Sequence, residues 1–344
     1  MRPKTLLIIR INIFIATAVS LFFVPWSLVF AWLAPLPESV QDQVNKAVAG
    51  ELDGIVVYVE SAGETPTLYT AGWHNREARI PAKPQALFKI ASIRKLYVAV
   101  ALTKMVGAGL LSLDETLADY FPELVGRIEN ADNISLDLMA RHRSGIPNLT
   151  DHPDFPWNDP PQSSLEQLEY ALDLPADFAP DEGYAYSNTN YLLLTEIMNN
   201  VLGFNHFDYI QTEILDPLNL VNTFISMQKV DSAELMSGYH VGYEPDIKDN
   251  HFGAMIASAE DVGIFLRALN DGSLLTAREQ SIYASIYVYE HTGLLPGYSS
   301  IAGYHEDIDT VVILFANTSG GLSWNLSEIF YNRIVKISHQ STLD

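Results

Sequence analysis

The chain has 344 residues, 48% hydrophobic and 11% aromatic, which argues against a disordered polypeptide and allows one large domain or two intimate ones. Forty-two acidic residues against 20 basic ones leave a formal charge of −22, which excludes nucleic acid as an expected partner because phosphate contacts need clustered lysine and arginine. Cysteine is absent and the nine histidines show no tight ligand spacing, so disulfides, thiol chemistry, a metal or another cofactor are not expected.

Arg2, Lys4 and Arg10 precede a run from Ile11 to Ala34 that carries no charge. At about 1.5 Å per residue this run is long enough to cross a hydrocarbon core, and the basic residues ahead of it direct the following chain outward. The expectation is an exported protein with a membrane anchor in residues 1–37, its membrane contact made by residues 11–34. The exported domain, residues 38–344, would stand on the extracytoplasmic side. A cleaved signal peptide, cut near Val29-Phe30-Ala31, is the alternative.

Residues 39–52 read as an amphipathic helix. Residues 54–60 and 67–73 are β-branched stretches separated by Ser61-Ala62-Gly63-Glu64, which is a hairpin pattern. Next comes Phe88-Lys89-Ile90-Ala91-Ser92-Ile93-Arg94-Lys95, opening an apolar helical run to Leu111. Positions i and i+3 share a helix face, so Ser92 Oγ and Lys95 Nζ can meet locally. A lysine desolvated among apolar neighbours loses preference for its charged form and can take a proton from the serine. The spacing alone also fits an N-cap serine beside a solvated lysine.

From residue 91 to about 269 the pattern is mostly helical. Within it, Tyr186-Ser187-Asn188 sits in a loop just ahead of a helix over 191–202, where a phenol and an amide can point at one place. A phenol there can shuttle protons; the plainer reading is loop residues satisfying backbone bonds. A Pro- and Asp-rich loop, residues 151–161, could edge a cleft, and Ser258 caps a helix over 257–269. Residues 281–289, 298–304 and 310–316 read as strands, and 323–337 as a closing helix. Between the first two strands lies Glu290-His291-Thr292-Gly293-Leu294. A glycine on an edge strand allows close approach of backbone and substrate. The backbone N–H groups of Ser92 and Leu294 could then form a two-donor oxyanion hole. Strands at both ends predict one sheet built from both termini, about 38–90 and 270–344, with a mostly helical subdomain, about 91–269, inserted.

Ser-x-x-Lys, Tyr-Ser-Asn and His-Thr-Gly, in that order, resemble the serine β-lactamase and penicillin-binding-protein superfamily. The likeness is nearest to its class C β-lactamase, D-Ala-D-Ala carboxypeptidase and esterase branch, and it recurs in segments from Phe88 to Ser300 that span most of the exported part. The resemblance implies an α/β (α+β) transpeptidase-like fold with an antiparallel sheet flanked by helices. It implies Ser92 as nucleophile, Lys95 as its partner and Tyr186 as general base or proton shuttle. Asn188 would hold a substrate amide, while His291, Thr292 and Gly293 would line the substrate carboxylate. The expected activity is acyl-enzyme hydrolysis of a small-molecule or peptide substrate, most of all a D-Ala-D-Ala carboxypeptidase-like peptidase or amidase. An esterase or β-lactamase of the same superfamily, or a catalytically silent membrane-tethered binding domain, are the alternatives. Three departures stand out: His291 where many members have lysine, and Arg94 and Arg143 where small hydroxyl residues are usual.

Overall fold

The computed structural model describes residues 3–341 apart from Glu51 and Ala254, so Arg2 and the chain's last three residues lie outside the described residues. Six strands form one antiparallel sheet: β1 (Gly54–Ser61), β2 (Thr67–Asn75), β3 (Ile80–Pro81), β4 (His291–Leu295), β5 (Tyr298–His305) and β6 (Thr310–Ala316). Their order is β3-β2-β1-β6-β5-β4. The two central strands come from opposite ends of the domain, with Ile55 opposite Ala316 and Ser61 opposite Thr310. The sheet is therefore closed by both termini, as expected.

The longer helices are α1 (Pro3–Leu21), α2 (Trp26–Leu33), α3 (Val40–Val48), α4 (Arg94–Gly107), α5 (Asn188–Leu202), α6 (Ala259–Asn270), α7 (Ala277–Ile286) and α8 (Ser323–Ser341). Alternation along the central strands supplies two cores. Ile55, Val57, Val312, Leu314 and Ala316 pack against α3 and α8. Val56, Tyr58, Val311, Ile313 and Phe315 face the other way, towards α4, α6 and the helical subdomain. Each face of the sheet is thus covered by helices, and the nucleophile belongs to the second layer.

Two expectations change. Residues 281–289 do not form a strand: 277–286 is helical, with a capping box between Thr276 and Glu279. Tyr283 and Ile286, one turn apart, are the buried pair, and the helix packs on α4. A run of alternating aromatic and β-branched residues presents a helical face equally well, and tertiary packing decides between them. The strand part of the C-terminal half therefore begins at His291, not near residue 270.

The uncharged run is also broken. Within the described residues no single helix is long and apolar enough to cross a membrane; α1 and α2 meet at a bend of 79°. Pro25 stands at the N-cap of α2, where a missing N–H ends the preceding helix. Leu28 and Ala31 of α2 pack into the α3–α8 layer. Arg333, 6% exposed, donates from its guanidinium to the carbonyls of Ala34 (2.8 Å) and Pro35 (2.7 Å) and to Gln43 Oε1 (2.7 Å). Phe22, Phe23, Phe30 and Trp32 remain exposed.

Candidate active site

The segment leading to Ser92 is held on both sides. Phe88 and Lys89 pair with Ala257 and Ile256, and Ile90 N donates to Met255 O (3.0 Å). Ala91 then takes a left-handed backbone (φ 51°), which for a residue with a Cβ costs on the order of 1 kcal/mol and persists only when neighbours enforce it. The turn Ala91–Ile93 that follows delivers Ser92 directly to the start of α4.

Two of the expected partners reach Ser92 Oγ, and a third, Asn188, reaches Lys95. Tyr186 O–H donates to Ser92 Oγ at 2.7 Å, and Lys95 Nζ stands 3.2 Å from the same oxygen. Lys95 Nζ also donates to Asn188 Oδ1 (2.7 Å). Lys95 is only 2% exposed, and burial first, then the positive charge of Arg94, holds its amine well below the usual lysine range. Burial pushes the Tyr186 phenol up to about 12, although its bond to Ser92 and the nearby Arg94 pull it down. At neutral pH the phenol keeps its proton and gives it to Ser92 Oγ. The serine's own proton is then free to point at Lys95, whose hold on its own proton burial weakens.

The third motif approaches from β4. A Cβ at Gly293 would lie 2.3 Å from Ser300 Oγ and 2.5 Å from Ile90 O, so only glycine lets β4 close on the segment carrying Ser92. Thr292 and Leu294 are exposed on the strand's outer positions. His291 is half-buried and uses both ring nitrogens: Nδ1–H donates to Thr292 O, and Nε2 accepts from Tyr287 O–H (2.8 Å). Burial pushes its imidazole down to about 4, with Lys95 acting in the same direction against the bond to Thr292. His291 is therefore neutral at pH 7. Glu290 exerts its charge on His305 and Tyr331, not on His291.

The two arginines separate. Arg143 lies outside the site, paired with the exposed Asp181 (Nε to Oδ1 2.5 Å), and braces the loop ahead of Tyr186. Arg94 is half-buried beside Tyr186 and Lys95.

The sequence model of the beta-lactamase family matches residues 40–285. The chain belongs to the beta-lactamase family. Curated relatives are distant. The chain is 24% identical over 200 residues to penicillin-binding protein 4* of Bacillus subtilis, covering 57% of this chain and 43% of that protein. It is 22% identical over 346 residues to protein flp of Staphylococcus aureus, covering 90% and 69%. This beta-lactamase family member thus spans less than half the length of the first relative. Among solved structures, a D-amino acid amidase from Ochrobactrum anthropi SV3 superposes with a TM-score of 0.77 at 22% identity, covering 88% of this chain and 98% of that one. A class C beta lactamase from Rhodobacter sphaeroides gives 0.68 at 20% identity, covering 90% and 100%. These likenesses establish the fold.

Two contributors escaped the motif reading of this beta-lactamase family chain. His142, buried, lies against the Tyr186 ring (centroids 4.6 Å) and accepts from Ser187 N through Nδ1 (3.2 Å), so it supports the loop between Tyr186 and Asn188. Its segment, Arg141-His142-Arg143-Ser144-Gly145, matches the family, but only the fold brings it under Tyr186. Tyr287 is the other, through its bond to His291. Asn188 spends its amide on Lys95 and on Thr150 Oγ1 (3.0 Å), so it orients the lysine before any substrate arrives.

A cavity of about 740 Å³ lies between the 157–162 and 240–251 loops and reaches Pro296, just past β4. The Pro- and Asp-rich loop does edge a cleft, through Trp157, Asp159 and Pro160. Lys89, three residues before Ser92, donates to the carbonyl of Asn250 on its wall (2.5 Å).

Proposed function

We propose that this chain is a serine amidohydrolase working through an acyl-enzyme on Ser92, with small amides or peptide amides as substrates. In the acylation step Ser92 Oγ bonds to the carbonyl carbon and the C–N bond breaks. The Oγ proton passes to Lys95, Tyr186 donates a proton to the leaving nitrogen, and Lys95 returns its proton to the Tyr186 phenolate. Water then adds to the acyl carbon and gives a proton to Lys95, Tyr186 protonates the departing Ser92 Oγ, and Lys95 again restores the phenol as the acid leaves. The N–H groups of Ser92 and Leu294 would receive the oxyanion.

The observation that carries the amide preference is His291. A D-Ala-D-Ala carboxypeptidase needs a cation for the terminal carboxylate, and a neutral imidazole with both nitrogens engaged is poorly suited to supply one. A substrate ending in an uncharged amide makes no such demand. The likeness to a D-amino acid amidase points the same way. The carboxypeptidase reading keeps one support, the guanidinium of Arg94 near Tyr186.

The discriminating assay compares D-phenylalanine amide with acyl-D-Ala-D-Ala peptides that end in a carboxylate or in a carboxamide. Ammonia release from the amide, and peptide cleavage that is no slower when the C-terminus is amidated, is the expected result. Strict dependence on a free carboxylate would return the assignment to a carboxypeptidase.

We further propose that the domain works outside the cytoplasm, attached to a membrane through residues 11–34. The absence of charge over that run and the exposure of Phe22, Phe23, Phe30 and Trp32 support the attachment.

A further inference from the structure

We propose that Lys89 is a positioning residue that sets which substrate lengths bind well. It fastens both walls of the cavity of about 740 Å³ to the segment carrying Ser92, and the cavity takes the part of a peptide amide that extends beyond the residue held at Ser92. The inference rests on the reading of this chain as an amidohydrolase acting through Ser92.

A series of contacts carries it. Lys89 lies on the short strand Phe88–Lys89, which pairs with Ile256–Ala257 and ends three residues ahead of Ser92. Its Nζ donates to the carbonyl of Asn250 (2.5 Å). Asn250 donates in turn through Nδ2 to the carbonyl of Trp157 (2.8 Å), and its Oδ1 accepts from Phe252 N (3.0 Å). Asn250 and Trp157 stand on the two loops between which the cavity lies. The rings of Phe155, Trp157 and Phe252 meet edge to face at the same junction, with centroids 5.0, 5.3 and 5.5 Å apart.

Lys89 is placed for this link and for little else. It is 2% exposed, and among the described residues it joins no ion pair and has the Asn250 carbonyl as its one hydrogen-bond acceptor. The Tyr298 ring lies 5.2 Å from Nζ. Burial pulls the amine down to about 8, against the charges of Asp249 and Asp246, so at pH 7 it is mostly an ammonium and its bond to Asn250 is charge-assisted. A buried cation with a single acceptor adds little to stability. A bond between segments 161 positions apart does fix where the second stands against the first.

The cavity is reached along β4. Gly293 stands beside Ile90 and Ala91, and Pro296, at the cavity's edge, is three residues further on, roughly 10 Å at the rise of a strand. A single amino-acid amide is too short for that span, whereas about three further residues cover it. Trp157 and Tyr243 supply apolar lining, Asp159, Asp246 and Asp249 supply carboxylates, and among the described residues no lysine or arginine lines the space. That lining suits a peptide segment without negative charge.

The test measures kcat and KM for ammonia release from D-phenylalanine amide and from the same amide extended by three alanines. It uses the full chain and its Lys89→Met, Asn250→Ala and double variants. Wild type should show the lower KM for the extended substrate. Lys89→Met should raise that KM by roughly tenfold, the scale of one charge-assisted hydrogen bond. Its kcat should stay within a few-fold of wild type, its KM for the short amide should hold, and its Tm should stay within a few degrees. Asn250→Ala keeps the carbonyl that Lys89 meets but cuts the bond to Trp157, so it should raise the same KM. The double variant should be no worse than the worse single one, because the two contacts are links of one chain. A KM that rises equally for both substrates, a kcat that falls while KM holds, or effects that multiply in the double variant would overturn the inference and leave the reading of Ser92 intact. So would a wild type that gains nothing from the longer substrate. If Lys89→Met does not fold, an unchanged KM for the extended substrate in Asn250→Ala overturns it. A wild type that releases ammonia from neither substrate would remove the amidohydrolase reading, and the inference with it.

Discussion

Replacing Lys95 by methionine should slow acylation of Ser92 by roughly 10³-fold or more and leave the folded protein at least as stable as wild type. The loss follows from geometry: Lys95 Nζ is 3.2 Å from Ser92 Oγ, and Tyr186, the other neighbour at 2.7 Å, has its proton in place and cannot take a second. The stability follows from linkage. Lys95 has its folded-state proton affinity depressed, chiefly by burial. Between that depressed value and the unfolded value near 10.4, the unfolded chain binds more protons, so wild-type stability rises with pH through this window. Methionine, of similar length and without charge, removes the penalty. Its advantage should be greatest at acid and neutral pH and vanish as pH approaches the unfolded lysine value. Thermal melts at several pH values, together with probe-labelling rates, check both halves. A variant that acylates within tenfold of wild type would show that Lys95 is not the acceptor.

Gly293→Ala should be nearly as damaging to activity, for a different reason. The new Cβ would meet Ser300 Oγ at 2.3 Å, Ile90 O at 2.5 Å and Ala91 Cβ at 3.0 Å. The last two belong to the segment that delivers Ser92, so the clash is relieved only by moving β4 away from the nucleophile. Overpacking of this kind costs about 1–3 kcal/mol, a fall in Tm of several degrees. Separating the Leu294 N–H from the Ser92 N–H should lower kcat by roughly 10²–10³-fold, the effect of losing one oxyanion donor. Leu294→Ala is the control. That side chain is 54% exposed and its backbone N–H is retained, so kcat should change little. Equal losses in the two variants would argue that the strand matters through its side chains instead.

How much of this could be read from the residues depends on the range of each contact. Ser92 and Lys95 are three apart, and helix geometry alone brings them together. Tyr186 lies 94 positions from Ser92, and only the order of three motifs joined them before the fold did. His142 under Tyr186, and Tyr287 beside His291, are contacts made by packing between segments that are unremarkable singly. The central strands, with continuous apolar runs such as Thr310–Ala316, were legible because both faces are covered. Residues 281–289 were not, because alternation there coincides with a helical stripe; the Thr276–Glu279 capping box was the local clue. Pro25, inside the uncharged run, likewise marks where α1 and α2 part. The neutrality of His291 is the least local property of all, since it arises first from burial, which only the packed fold supplies.

The central claim is that Ser92 forms a covalent acyl-enzyme. Its most direct test is the intact mass of residues 38–344 after incubation with a fluorescent penicillin and, separately, with a fluorophosphonate, alongside the Ser92→Ala variant. The account predicts a single adduct on wild type with at least one probe and none on the variant. An adduct that persists in Ser92→Ala, or folded wild type that reacts with neither probe, would contradict it.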